Sequence, residues 1–202
     1  MKISTQHIRH ALFLLLVSLL NTSMFSQVLD QDRGKLNKPE TEVSAETYWN
    51  VKAYNPTWGL LKVKAIDKDG KIYDIKAIQD SDDTSILNVK ALINGQRVSV
   101  KLIKTKGDLL YPVKAITQNG TILDVKAIDT DGEIIDVKGV SKTGNIVHLR
   151  AIRPQVIMYN IIAVSPDGKV NDVKGIKMMD QEVEAVIHGV NIFAHVKALT
   201  QD

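Results

Sequence analysis

The residues able to do chemistry in this chain are few in kind, and most of them recur. Asp, a branched apolar residue, Lys and a small residue follow one another as DIKA at 74–77, DVKA at 124–127 and DVKG at 136–139 and 172–175. On a strand, residues two apart share a face, so each Asp and Lys sit together and could serve as acid and base. A catalytic pair, however, occurs once and departs from its surroundings. This one recurs in most copies and reads as a rule of construction. Three histidines, His148, His188 and His195, lie beyond the first 26 residues. His188 and His195 are close enough in sequence to approach each other. With no Cys in the chain and no carboxylate at ligand spacing, they are not expected to hold a metal. The acidic loop DSDD at 80–83 resembles half of a calcium loop, as do DKDG at 67–70 and DTDG at 129–132. Such loops gather several oxygens within a dozen residues, whereas Asp at a turn start is already explained by turn geometry. Asp80, Asp82 and Asp83 are the candidate metal group, because their loop is longer than a hairpin needs. Trp49, Tyr54 and Trp58 are the candidate ligand-binding group: clustered aromatics either stack on a sugar ring or plug the first edge of a sheet. No Ser-His-Asp arrangement, phosphate loop or zinc motif is present, so neither an enzyme nor a cofactor is expected.

The elements that must carry these residues follow from the repeat. Lys or Arg recurs at 52, 64, 76, 90, 101, 114, 126, 138, 150, 174 and 197. The dominant step is twelve, with one masked copy expected in each of the last two gaps. Turn signals fall between copies, among them Asp69-Gly70, Asn94-Gly95, Asn119-Gly120 and Asp131-Gly132, so the pattern predicts about a dozen short strands joined by hairpins. A three-residue loop at Asp129 to Gly132 sets Lys126 opposite Asp136 and Asp124 opposite Lys138. The neighbouring turns set Lys114 opposite Asp124 and Arg150 opposite Asp136. Lys114, Asp124, Lys126, Asp136, Lys138 and Arg150 are thus the expected structural ladder, with His148 opposite Lys138. Behind the ladder, large apolar residues face small ones. A parallel solenoid of the same period would stack like charges, so an antiparallel meander is preferred.

Irregularities mark bends: an extra residue before Pro112 predicts a bulge there, and 79–85 and 153–156 are the other corners. The fold class expected is all-β, an antiparallel meander of about 12 strands closed as a flattened barrel or two-layer sandwich. Its small inward residues require walls that lie close together. The first 26 residues, with Lys2 and Arg9 before an apolar run from Ala11 to Leu20, have the layout of a secretory signal peptide. Residues 27–46 read as a flexible polar leader and 47–202 as the repetitive β domain.

Without the signal, basic and acidic residues nearly balance, 24 against 23. An evenly mixed, nearly neutral domain offers nucleic acid no basic patch, and ten apolar residues are too few for a stable membrane span. Export without Cys excludes disulfides and a lipoprotein anchor and points to the periplasm or the extracellular space, with a glycan or envelope protein as partner. The VKA repeats over 49–199 resemble secreted bacterial VKA-repeat sequences of unknown function, which implies no activity. The expectation is an exported, non-enzymatic β-repeat domain with a structural or binding role. A carbohydrate- or small-ligand-binding module and an outer-membrane-associated β-barrel are the alternatives.

Overall fold

A computed structural model describes residues 46–107 and 109–201. The expected signal peptide and residues 27–45 lie outside them. Thirteen strands follow one another: β1 (Thr47–Asn55), β2 (Gly59–Ile66), β3 (Ile72–Gln79), β4 (Ile86–Ile93), β5 (Gln96–Ile103), β6 (Tyr111–Ile116), β7 (Ile122–Ile128), β8 (Ile134–Thr143), β9 (Ile146–Arg153), β10 (Ile157–Val164), β11 (Val170–Ile176), β12 (Ala185–Ile187) and β13 (Val190–Thr200), with one 3₁₀ turn at Pro154–Val156. All pairings are antiparallel and join into one sheet, and every strand except β12 takes part in its closure. The all-β meander read from the repeat is therefore the fold, and it closes as a barrel.

The closure is not that of an ordinary barrel, because nearly every strand changes partner at its middle. Strand β7 pairs with β6 through Ile122–Asp124 and with β8 through Lys126–Ile128. The start of β8 completes its pairing with β7, and its later residues Lys138 and Gly139 return to Pro112 and Tyr111 of β6. Three strands thus form a ring, each pairing half its length with the next. The same pattern recurs for β1, β2 and β3, for β4, β5 and β13 and for β9, β10 and β11. We number these the first, second and fourth rings, with β6, β7 and β8 as the third. On its other edge each strand pairs through a central run of residues with a strand of another ring: β1 with β10, β2 with β7, β3 with β4, β5 with β6, β8 with β9 and β11 with β13. Each of the four rings is therefore joined once to each of the other three, the connectivity of a tetrahedron.

One position of the repeat fills the centre. Val51, Val63, Ile75, Val89, Val100, Val113, Val125, Val137, Leu149, Ile161, Val173 and Val196, one from each strand except β12, enclose a residual space of about 10 Å³. An apolar void of that size is at the lower limit for a single water and offers it no partner. The next inward position, after the Lys, is Ala in nine strands and fully buried, for example in Ala53, Ala65 and Ala127. Across the long pairs large meets small, as in Val63 with Ala127 and Ala65 with Val125. In β5 that position is Leu102, whose side chain occupies the room vacated by Gly139 and Gly175: a Cβ on either would lie 2.5 or 2.9 Å from a Leu102 methyl.

Several details of the expected register are corrected by this closure. Lys126 faces Asp136 and Lys114 faces Asp124 as read. Asp124, however, does not face Lys138, because β7 has already turned from β8 to β6. Arg150 faces Lys138 rather than Asp136, which faces Ile152. His148 pairs with Ser141 and Lys174, not Lys138. Along the long pairs cations oppose cations, Lys64 with Lys126, Lys76 with Lys90 and Lys174 with Lys197. Like charges are tolerated there because each has partners within its own ring. The bulges fall at Gly139/Ser141 and Ile192/Ala194 rather than at Pro112. Of the two masked copies, the first is Ile162 on β10, aligned with Lys52. The second left the shell and became the segment carrying β12, which pairs only with β13.

Candidate functional site

The outer face of each ring gathers its Lys-position residues and the residues two places earlier that they face across the half-length pairs. In the third ring these alternate in charge. Lys114 and Lys126 each bond a carboxylate, Asp124 and Asp136 respectively, while Lys126 lies 3.7 Å from Asp124 and Lys138 3.6 Å from Asp136. The Lys126 contact and, with it, that of Lys138 hold the Asp136 carboxyl below its ordinary value, against the effect of burial. The first ring has Lys64 on Asp74, and the fourth has Lys174 at 2.9 Å from Asp172. Arg150 donates to the Leu149 carbonyl at 2.9 Å and takes no part in the third ring. Exposed pairs of this kind contribute roughly 0.2–1 kcal/mol each.

The second ring departs from the pattern. Its cations are Lys90, Lys101 and Lys197, and the positions they face hold Ser99, His195 and Asn88. No carboxylate stands among them. The amines hydrogen-bond to neutral groups instead: Lys90 donates to Ser99 Oγ at 2.8 Å, Lys197 to Asn88 Oδ1 and Lys101 to His195 Nδ1. Deprived of an ion pair in the ring, Lys101 is the most perturbed. Burial, then the charges of Lys90 and Lys197, lower its pKa to about 8.

The segment displaced from the shell supplies the missing acid from outside the ring. Glu184 precedes β12, and its side chain is 1% exposed. One oxygen accepts from the backbone N–H groups of Met178 and Met179, and the other lies 3.3 Å from His195 Nε2. The segment is tied down by Lys104 to Glu182 at 2.6 Å, and Lys177 rests on the Phe193 ring at 4.4 Å while donating to the Gln181 carbonyl. Amine, imidazole and carboxylate thus form one chain, Lys101–His195–Glu184. Burial and the neighbouring Lys101 charge keep the His195 pKa low, with Glu184 acting in the opposite sense. With Nδ1 accepting from the amine, the imidazole proton belongs on Nε2, facing Glu184.

A cleft of about 640 Å³ opens beside Lys101, lined also by Gln96, Arg97, Ser99, Thr117, Gln118 and His188. Three hairpin turns build its rim. Asn94 and Gly95 both adopt positive φ (49° and 78°), the tight two-residue turn of β4 and β5. The turn before Gly120 belongs to β6 and β7. His188 (φ 48°) and Gly189 turn β12 into β13, and the His188 ring lies where a Cβ on Gly120 would fall, 3.0 Å away. Four amide or hydroxyl side chains and two cations share this lining with the apolar Val98, Ile116 and Ile187. Arg97 is itself paired with Glu46 and lies 5.9 Å from the Tyr48 ring centre.

The residues singled out by sequence fall elsewhere. Trp49 is 1% exposed and donates from Nε1 to Gln79 Oε1 at 2.9 Å, so it belongs to the core and not to an aromatic surface. Tyr54 and Trp58 are 40% and 56% exposed on the β1–β2 hairpin. Asp80, Asp82 and Asp83 are exposed in the β3–β4 loop; Asp83 accepts from the Ser85 N–H at 2.8 Å, and among the described residues no three His, Asp or Glu converge to hold a metal. The ladder residues hold the third ring together, apart from Arg150. His188 and His195 do not meet: one rims the cleft, and the other faces Glu184. Lys101 and Glu184 were missed. The available signals were a Ser in place of Asp two residues before Lys101, and a Glu inside a repeat that fails to match.

Fold and site define a class: a closed antiparallel β-barrel whose interior is filled and whose cleft, lined by polar and apolar side chains together, lies on the outer surface. The chain belongs to the Family of unknown function (DUF7486), the model of which matches residues 45–199. No curated protein and no solved structure matches it.

Proposed function

We propose that this protein is an exported, non-enzymatic binding module and that its cleft takes an acidic saccharide. The observation that carries this reading is the second ring, which alone of the four contains no carboxylate and which opens beside a cleft offering Gln96, Ser99, Thr117 and Gln118. A sugar carboxylate suits Arg97, since charge-assisted bonds to a carboxylate are the strong ones, and the Lys101 amine suits an oxygen elsewhere on the sugar. The sugar hydroxyls suit Gln96, Ser99, Thr117 and Gln118, which both donate and accept. Binding within the barrel has no support, because the centre is filled by side chains. A lipid-embedded barrel is disfavoured too: a spanning barrel turns apolar residues outward, and here the outward positions carry Lys and Asp. Export rests on the layout of residues 1–26.

Calorimetric titration with methyl glucuronoside tests the binding reading. Heat of binding that falls at least about tenfold in affinity on Lys101→Gln supports it, and no binding by the wild type overturns it. Mass spectrometry of the protein recovered from outside the cytoplasm tests export: a new N-terminus near residue 27 is expected, and an intact Met1 in the cytoplasm excludes it. Tyr54 and Trp58 on their exposed hairpin favour a second surface for a glycan or envelope protein, and loss of glycan-array signal on Trp58→Ala would locate binding there instead.

A further inference from the structure

We propose that Lys101 is a nucleophilic amine that captures an open-chain acidic sugar through its free carbonyl, forming an imine in the cleft. This rests on the reading of the cleft as an acidic-saccharide site and adds to it a covalent step.

The geometry has three parts. Lys101 lines the cleft and is within reach of a ligand there. Its Nζ is hydrogen-bonded to His195 Nδ1, and His195 Nε2 faces the Glu184 carboxylate at 3.3 Å. A nucleophile beside a base that is itself oriented by a third group is the arrangement that activates a weak nucleophile. That Glu184 oxygen is buried and accepts no hydrogen bond, its contact with His195 Nε2 being one of proximity at 3.3 Å. Such an oxygen is suited to holding an imidazolium while it exists. The absence of a carboxylate from the ring matters equally, because an ion pair would keep the amine protonated, as a desolvated lysine among cations is not. The groups facing Lys101 are His195 on β13, Lys114 across the long pair on β6, and Lys90 and Lys197 within the ring.

The step balances without an oxidant or a reductant. The neutral amine nitrogen attacks the carbonyl carbon, and a C–N bond forms as the C=O π bond opens. The nitrogen loses two protons in all and the carbonyl oxygen gains two, His195 carrying each across, and the oxygen leaves as water when C=N forms. Arg97 and the amides hold the sugar carboxylate and hydroxyls meanwhile. Because the imine hydrolyses by the reverse path, capture is reversible.

Incubating the full chain with D-glucuronic acid and sodium cyanoborohydride, then mapping modified lysines by peptide mass spectrometry, tests the proposal. Lys101 is expected to be modified at least tenfold faster than Lys64 or Lys126, with its rate rising to half its plateau near pH 8. His195→Asn is expected to slow Lys101 at least tenfold while leaving Lys64 unchanged, a readout that a merely structural change would not give. Even modification of all lysines, or a Lys101 rate that His195→Asn does not move, overturns the proposal. Methyl glucuronoside, which has no free carbonyl, separates the two readings: if it binds but glucuronic acid is not trapped at Lys101, the covalent step fails and the binding reading stands. If it does not bind, trapping of the uncharged glycolaldehyde at Lys101 tests the amine by itself, and even modification again overturns it.

Discussion

Single residues in this protein are chosen by how much room the converging strands leave them. The inward position after the repeat Lys lies at 0% exposure wherever it is Ala, and there is no space for more. Leu102 breaks the rule, and Gly139 and Gly175 accommodate it from two different rings. Gly139→Ala is expected to destabilise by about 1–3 kcal/mol through overpacking against Leu102, and Leu102→Ala by about 2–5 kcal/mol through the cavity it leaves. The double substitution is expected to cost clearly less than the sum, because each change relieves the other. Urea unfolding of the four proteins measures this, and strict additivity would refute the compensation. Much of this was legible beforehand: large facing small was read from the repeat, and so was the identity of the turn residues. The burial of Trp49 was not, since an aromatic near the start of a repeat array looks the same whether it covers an edge or enters the core.

At the scale of the element, the twelve-residue unit encodes half a hairpin and then lets go. Pairing such as Lys126 to Asp136 follows from the turn because the loop length sets the count. Beyond that point strand twist separates the two strands, and the partner for the remaining residues comes from another hairpin. This is why Lys114 with Asp124 and Lys126 with Asp136 were placed correctly, while Asp124 with Lys138 and Arg150 with Asp136 were not. Asp136→Lys is expected to set three cations side by side with Lys126 and Lys138 and to lower the melting temperature by several degrees. Arg150 should feel little. Backbone amide shifts should change around Lys126 and Lys138 while those of β10 and β11 stay in place; spreading of the change to the fourth ring would contradict the assignment of partners. The repeat that left the shell shows the same logic reversed. Its strand β12 has one partner, and the freed length delivers Glu184 to a ring that has no acid of its own.

For the whole molecule, the joining of every ring to every other means that no repeat can open by itself. Linear repeat arrays unfold piecemeal because each unit touches only its neighbours. Here unfolding by far-UV circular dichroism and by tryptophan fluorescence, which reports largely on buried Trp49, is expected to coincide in one transition. Its acid limit follows from the rings. Asp74 and Asp136 are held below the ordinary carboxylate value of 3.8 chiefly by Lys64 and Lys126. Asp124 and Asp172 end below it as well, because hydrogen bonds and nearby cations outweigh burial. A depressed folded value means that the contribution is complete above about pH 4 and is lost as pH falls through the folded values. His195 and His148, half-buried and held below the ordinary 6.5 chiefly by desolvation, take back a small part of the stability as pH falls through 6.5. A shallow decline from pH 7 to 5 and a steep one below 4 are therefore expected; a fall already complete at pH 5 would point to other groups.

The sequence by itself determined the period, the turns, the inward and outward sides of each strand and the first contact after each turn, because all of these depend on residues within one repeat. Only the tertiary structure decided which strands meet beyond that contact. It also decided that cations face cations on the long pairs, that Ile162 is a silent copy of the repeat, and that Lys101, His195 and Glu184 form a chain. The reason is physical: those contacts join positions up to 114 residues apart, as in Asn50 with Val164, and their geometry is set by twelve strands closing around a centre too small to leave any of them a free choice of partner.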